Sequence, residues 1–142
     1  MKNAHDYLIV HNIHPSLQRL AIMNYLMCNH THPTADEIFT ALTSEMPTLS
    51  KTTIYNTLKL FSEKGAIQVV TIDEKNAHFD GNPEIHPHFY CRKCGKIYDI
   101  ALQKGDVLEK QFACNPNLKG FSVEQTQIYH SGICPTCKKS EQ

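Results

Sequence analysis

Between His86 and Asp99 the chain sets two imidazoles (His86, His88), two thiols (Cys91, Cys94) and a carboxylate (Asp99) into one short segment. Thiolates favour a soft, structural ion, whereas imidazole with carboxylate suits a borderline or hard one, so the segment reads as two interleaved metal sites. A second Cys-x-x-Cys pair, Cys134 and Cys137, extends the thiol set. Gly95 and Pro135 are turn formers that let both sulfurs of a pair face one ion, and four thiolates make a closed tetrahedral zinc site. The long interval between the pairs means that such a site clamps a whole α/β unit rather than one hairpin. Cys28 and Cys114 stand alone and are expected in the core, where free cysteine behaves as a small hydrophobe. The competing reading is a thiol oxidoreductase, which requires reactive thiols and no tightly held zinc. A zinc module that binds no DNA is a third.

The second site is less self-contained. His86 and His88 alternate on one face of an extended segment, Asp99 follows the first cysteine pair, and Asp80 lies ahead of the Gly81-Asn82-Pro83-Glu84 linker. These four side chains could share one ion, or the histidines could be a solvated surface pair. If an ion is held, Asp80 and His86 flank the linker, and the ion would tie the two halves together.

These groups have to be carried by a short chain. At 142 residues it makes one domain or two very small ones, each with a thin core that a metal would brace. The N-terminus is polar and leads into no long apolar run, so no secretory signal or membrane span is read and a cytoplasmic location is expected. Six cysteines in a reducing compartment point to metal rather than disulfides. Net charge is zero, with six basic against eight acidic residues up to Pro83 and eight against six after it. That excludes nucleic-acid binding through bulk charge, so any basic contact surface is local.

Periodicity supplies the scaffold. A short helix is expected near Asp6 to His11, and a longer one from about Ser16 to Asn29 with Leu17, Leu20, Ala21, Ile22, Tyr25 and Leu26 inward. Thr34 and Glu37 form a capping box that starts a helix with Ile38, Phe39, Ala41 and Leu42 inward, ended before Pro47. Ser50 caps a third helix running to Lys64, with Ile54, Leu58 and Phe61 on one stripe and Gly65 as its stop. Its opposite face holds Thr52, Tyr55, Asn56 and Lys59, with Lys51 and Thr53 in the first turn. These side chains suit contact with phosphates and base edges, as in the second helix of a helix-turn-helix, although a solvated face would look the same. Two strands, Ile67 to Ile72 and Ala77 to Asp80, flank a turn at Asp73 to Asn76. Helices followed by a hairpin make a winged helix. The fold expected is therefore α+β: a winged helix-turn-helix domain over residues 1–82, then a small α/β domain over 83–142 with strands near Phe89-Tyr90, Ile97 to Ile100 and Phe121 to Tyr129 and a helix from about Lys104 to Cys114. So few strands invite a partner chain to complete the sheet, which makes a homodimer.

His32-Pro33-Thr34-Ala35-Asp36-Glu37-Ile38, Ser50 through Leu60 with Tyr55-Asn56, Phe79-Asp80, His86-x-His88-x-x-Cys91-x-x-Cys94-Gly95-Lys96 and Cys134-x-x-Cys137 together resemble the ferric uptake regulator (Fur) family over nearly the whole chain. The resemblance implies dimeric, metal-dependent bacterial repressors that bind palindromic operator DNA and are not enzymes, with structural Zn²⁺ on Cys91, Cys94, Cys134 and Cys137. It adds His32 to Asp80, His86, His88 and Asp99 as ligands of a regulatory Fe²⁺ or Mn²⁺. With aspartate at both carboxylate positions, the chain looks most like the peroxide-repressor branch, in which Fe²⁺-catalysed oxidation of a ligand histidine, here His32 or His86, ends repression. The alternative is an iron-responsive regulator with Fe²⁺ as corepressor. His14-Pro15-Ser16-Leu17-Gln18-Arg19 departs from the family's usual run before the second helix by an insertion near Pro15; Arg19 still stands as a phosphate contact beside Ser50, Lys51, Thr52, Thr53, Tyr55, Asn56 and Lys59. His78 is not a ligand position in this pattern.

Overall fold

Each of the first four helices starts where a side-chain oxygen meets free backbone donors. In the computed structural model, which describes residues 3–102 and 115–140, Asn3, Ser16, Thr34 and Ser50 accept the backbone N–H of Asp6, Arg19, Glu37 and Thr53. They open α1 (Ala4–Val10), α2 (Leu17–Cys28), α3 (Ala35–Thr43) and α4 (Lys51–Glu63). The last of these ends at Gly65, whose φ of 72° lets its N–H reach Ser62 O and the Ala66 N–H reach Phe61 O. Only a residue without Cβ takes that left-handed position freely, which is why the helix stops there.

The chain divides into two units, Met1–Pro83 and Glu84–Gln142. In the first, α2 buries Ile22, Met23 and Leu26, α3 buries Ile38 and Leu42, and α4 buries Ile54, Leu58 and Phe61, all in one cluster with Leu8 and Phe79. Two residues assigned to the inward stripes of these helices are outside. Leu17 is 81% exposed because it is the first residue of α2, before the turn that meets the core. Ala41 is exposed because the buried stripe of α3 runs through Ala35, Ile38 and Leu42, and a neighbour one position back is rotated about 100° away. The hairpin is β1 (Gln68–Val70) and β2 (His78–Asp80), antiparallel with Gln68 opposite Asp80 and Val70 opposite His78. Helices and hairpin together form a winged helix-turn-helix. At the end of the wing, a Cβ on Gly81 would stand 3.0 Å from Leu26 O, so glycine is what lets β2 close onto α2.

The second unit holds β3 (His88–Cys91), β4 (Ile97–Asp99), a 3₁₀ turn (Pro116–Leu118), β5 (Tyr129–Gly132) and α5 (Pro135–Ser140). Its sheet runs β4-β3-β5. The first pair is antiparallel with His88 opposite Asp99, and the second is parallel with Cys91 opposite Gly132. The strand expected over Phe121 to Tyr129 therefore sits later: Phe121 and Val123 are 71% and 50% exposed, and pairing begins only at Tyr129. The helix expected from Lys104 to Cys114 and the placement of Cys114 lie outside the described residues. Among the described residues of this unit the buried side chains are Pro87, His88, Cys91, Ile97 and Cys134, a meagre apolar set that includes two thiols. No helix among the described residues is long and apolar enough to cross a membrane.

Phe61 is wholly buried at the centre of the first unit's core. Phe61→Ala should lower its stability by about 3–5 kcal/mol through lost burial and the cavity left behind, read as a shifted midpoint in urea unfolding.

Candidate metal centres

Strand pairing brings the four thiols together. Cys91 closes β3, and Cys94 follows in a tight turn where Gly95, at φ 76°, returns its N–H to Cys91 O at 2.8 Å. Because β5 runs parallel to β3 and leads directly into α5, Cys134 and Cys137 arrive beside the same turn. All four sulfurs lie within 4.8 Å of one another. Cys94 Sγ and Cys134 Sγ are 3.8 Å apart, and a tetrahedral ion bonded to each sulfur at about 2.3 Å would separate them by roughly that much.

Their acidity follows from the same crowding. The backbone N–H groups of Cys94 and Cys134 point at Cys91 Sγ, at 3.5 and 3.4 Å. The first of these bonds does most to bring the Cys91 thiol down to about 6. A hydrogen bond from the Tyr98 hydroxyl lowers Cys134, and the tyrosine that supplies it is pushed up to about 12. Cys137, held against Cys134, is also pushed up to about 12. The crowding thus draws two thiols below their ordinary range and pushes a third above it, and a cation among the sulfurs would let all four act as thiolates. The set fits Zn²⁺.

The imidazoles and carboxylates form two groups, one in each unit. In the first, His32 takes the left-handed conformation at φ 56°, and its Nε2 lies 3.2 Å from Asp80 Oδ2 with both side chains buried. Asp80 Oδ1 accepts the Asn82 N–H at 2.9 Å, which fixes the carboxylate at the end of β2. Next to it, His78 sets Nδ1 2.7 Å from His32 O and Nε2 3.0 Å from Asp73 Oδ2. That bond from His78 is the main reason the Asp73 carboxyl lies below its ordinary range.

In the second unit, the register that pairs His88 with Asp99 sets His88 Nε2 3.2 Å from Asp99 Oδ1, and His86 Nε2 lies 2.8 Å from the same oxygen. The two rings stack with centroids 4.3 Å apart. His86 Nδ1 is 2.7 Å from Glu84 O. A carbonyl only accepts, so Nδ1 donates to it, and Nε2 then turns its lone pair toward a carboxylate that also only accepts. Two acceptors at that separation need a proton or a cation between them, and a ligand histidine bonded through its far nitrogen to a carbonyl is the usual arrangement around a metal. Imidazole with carboxylate suits Fe²⁺ or Mn²⁺.

The helix face read as a nucleic-acid surface is exposed. Thr52, Tyr55, Asn56 and Lys59 are exposed on α4, away from Ile54, Leu58 and Phe61. Ser50 Oγ is engaged by Thr53 as the cap, and Lys51 leans toward Asp36 Oδ1 at 3.6 Å and over the Phe39 ring. Arg19 donates to His14 O at 2.8 Å and, with Thr53 and Asn56, lines a cleft of about 410 Å³. Cys28, expected in the core, is instead exposed, because it ends α2 beyond the stripe of Ile22, Met23 and Leu26. Tyr98, Asp73 and His78 were not singled out by the sequence. For Tyr98 there was no local signal; for His78 the one signal was its place just before Phe79-Asp80.

The sequence pattern of the Ferric uptake regulator family matches residues 11–137. The peroxide-responsive repressor PerR of Staphylococcus epidermidis (strain ATCC 12228 / FDA PCI 1200) is 40% identical over 122 residues, 86% of this chain and 79% of that protein. The ferric uptake regulator from Pseudomonas aeruginosa with manganese has a similar fold, with TM-score 0.74 at 18% identity over 94% of this chain and 99% of that one. So has a zinc uptake regulator complexed with zinc and DNA, with TM-score 0.71 at 18% identity over 97% and 92%.

If the four sulfurs hold zinc, Cys94→Ser should leave the purified protein with far less than the roughly one zinc ion per chain of the wild type, and it should melt at lower temperature, because metal binding here contributes directly to folding. Elemental analysis beside thermal denaturation checks both.

Proposed function

The chain belongs to the ferric uptake regulator family, and from that premise we propose that it is a metal-dependent repressor that senses peroxide and binds palindromic operator DNA as a homodimer. The regulatory ion is held by His32 and Asp80 from the first unit and His86, His88 and Asp99 from the second. The observation that carries this reading is the pairing of carboxylates with imidazoles: both are aspartates, and each is drawn to histidine Nε2 at 2.8–3.2 Å. The name of the 40% identical relative supports the same assignment.

When bound as Fe²⁺, the ion supplies one-electron reduction of peroxide beside its ligands. The imidazole of His32 or His86 would take up one peroxide oxygen at a ring carbon, losing a proton and returning an electron to the iron while the other oxygen leaves as water, and a ring so modified is a poor donor to metal. The shell then opens, and repression ends. Mn²⁺ lacks that chemistry and supports repression without the response.

The first unit supplies the DNA surface, with α4 as the recognition helix in the major groove. Asp80 neutralised by a divalent cation leaves Lys59 and Lys64 as the dominant nearby charges, since Lys51 is shared with Asp36. Among the described residues the second unit's sheet leaves β4 and β5 at its edges, which supports pairing with a second copy.

Protein loaded anaerobically with Fe²⁺ and then treated with peroxide should release its operator and gain one oxygen on the peptides containing His32 or His86 by mass spectrometry, while the Mn²⁺ form should do neither. Unmodified protein that keeps its DNA would favour an iron-responsive regulator with Fe²⁺ as plain corepressor. Lys59→Ala should weaken binding about equally for all sequences and reduce the slope of log K against log salt by about 1, as loss of one phosphate contact does; fluorescence anisotropy over a salt series measures it.

A further inference from the structure

His32 is a non-glycine residue at φ 56°, a backbone state that is costly unless its surroundings enforce it. What enforces it comes from three consecutive residues of the wing. His78 Nδ1 holds the His32 carbonyl at 2.7 Å, the Phe79 N–H donates to Pro33 O at 2.9 Å, and Asp80 Oδ2 meets His32 Nε2 at 3.2 Å. The first contact depends in turn on Asp73 at the wing turn. Its Oδ2 lies 3.0 Å from His78 Nε2, and its Oδ1 accepts the Lys75 N–H at 3.0 Å, so the carboxylate is itself fixed. Both nitrogens of the His78 ring face acceptors, contacts that take a hydrogen on each nitrogen, the ring is buried, and its orientation is determined from both ends.

We propose that Asp73 and His78 are positioning residues for the regulatory metal: a carboxylate–imidazole–carbonyl relay that clamps the His32 backbone in its left-handed state and so aims His32 Nε2 at Asp80. Neither residue touches the ion. The inference rests on His32 and Asp80 being regulatory ligands, and it adds a set of residues that determines how tightly they bind. Without the relay, the loop between α2 and α3 relaxes to an ordinary backbone conformation and the imidazole swings away from the carboxylate, while the helical core under it, built from α2, α3 and α4, is untouched.

The test uses the full-length zinc-containing protein and Mn²⁺ alone as probe, with affinity measured by calorimetry and by the electron paramagnetic resonance of free Mn²⁺. His78→Leu should bind Mn²⁺ about 10–100-fold more weakly, the usual cost of removing a group that orients a ligand, with zinc content and melting temperature held near wild type. His78→Asn, whose side-chain amide can donate from about the position of Nδ1, should recover affinity to within about threefold. Asp73→Ala, which leaves the ring present but unoriented, should fall between and serves if His78→Leu fails to fold. His78→Leu within threefold of wild type, or His78→Asn as weak as His78→Leu, overturns the relay and reduces His78 to a packing residue. His32→Ala is the separating control. If it binds Mn²⁺ as well as wild type, the ligand assignment fails, and the relay is then decided on metal-free protein by His32 ring signals and Phe79 amide exchange in NMR. A change in both on His78→Leu upholds the clamp, and no change overturns it.

Discussion

Four sulfurs within 4.8 Å of one another repel as thiolates unless a cation lies among them, and the strand order of the second unit is what brings them together. Cys91 comes from the end of β3, Cys94 from the turn before β4, and Cys134 and Cys137 from the segment leaving β5, so on the proposed reading one ion among the sulfurs would tie the strands together. With β3 and β4 locked in register, His88 stands opposite Asp99 and both histidines converge on one carboxylate oxygen. A zinc ion on the thiols would thereby help position the imidazole cluster although the two share no ligand. That explains why soft and hard donors sit interleaved in one short segment.

Much of this was legible because the signals were local. A side-chain hydroxyl that can accept a free backbone N–H three residues on is a local start signal, so Thr34 and Ser50 marked helix starts and Gly65 marked a stop, while apolar periodicity placed the helix that begins near Ser16. The same holds for the metal donors, since Cys-x-x-Cys with a turn former and His-x-His on an extended segment carry their chemistry in their spacing. The order of helices and then hairpin was enough to read a winged helix. Leu17 and Ala41 were misplaced because apolar periodicity shows which residues could be buried, not where another helix lies across them.

What escaped the sequence was non-local. Phe121 and Val123 alternate like strand residues but are exposed, whereas Tyr129-His130-Ser131-Gly132 has weak strand character and pairs because the route to Cys134 lays it parallel to β3. Parallel pairing over that separation leaves no trace in local composition. Cys28 looked like a core residue by type and is exposed by position. His78 and Asp73 were passed over because neither fits a ligand pattern; their role depends on a carbonyl 46 residues away in sequence.

On the proposed reading, an ion that needs five or six donors finds two in the first unit and three in the second, so neither unit satisfies it alone. Such an ion has differential affinity for the state that joins them, and that difference is what shifts a conformational equilibrium. Moving a population from 1:99 to 99:1 takes a difference of about 10⁴-fold. Loss of a ligand imidazole removes a donor outright and defeats the shell, whereas a loosened Asp73–His78 relay costs about 10–100-fold and leaves every donor present. The two kinds of change thus act at different points. Ligand oxidation throws the switch, and the wing relay sets the metal concentration at which the switch is armed.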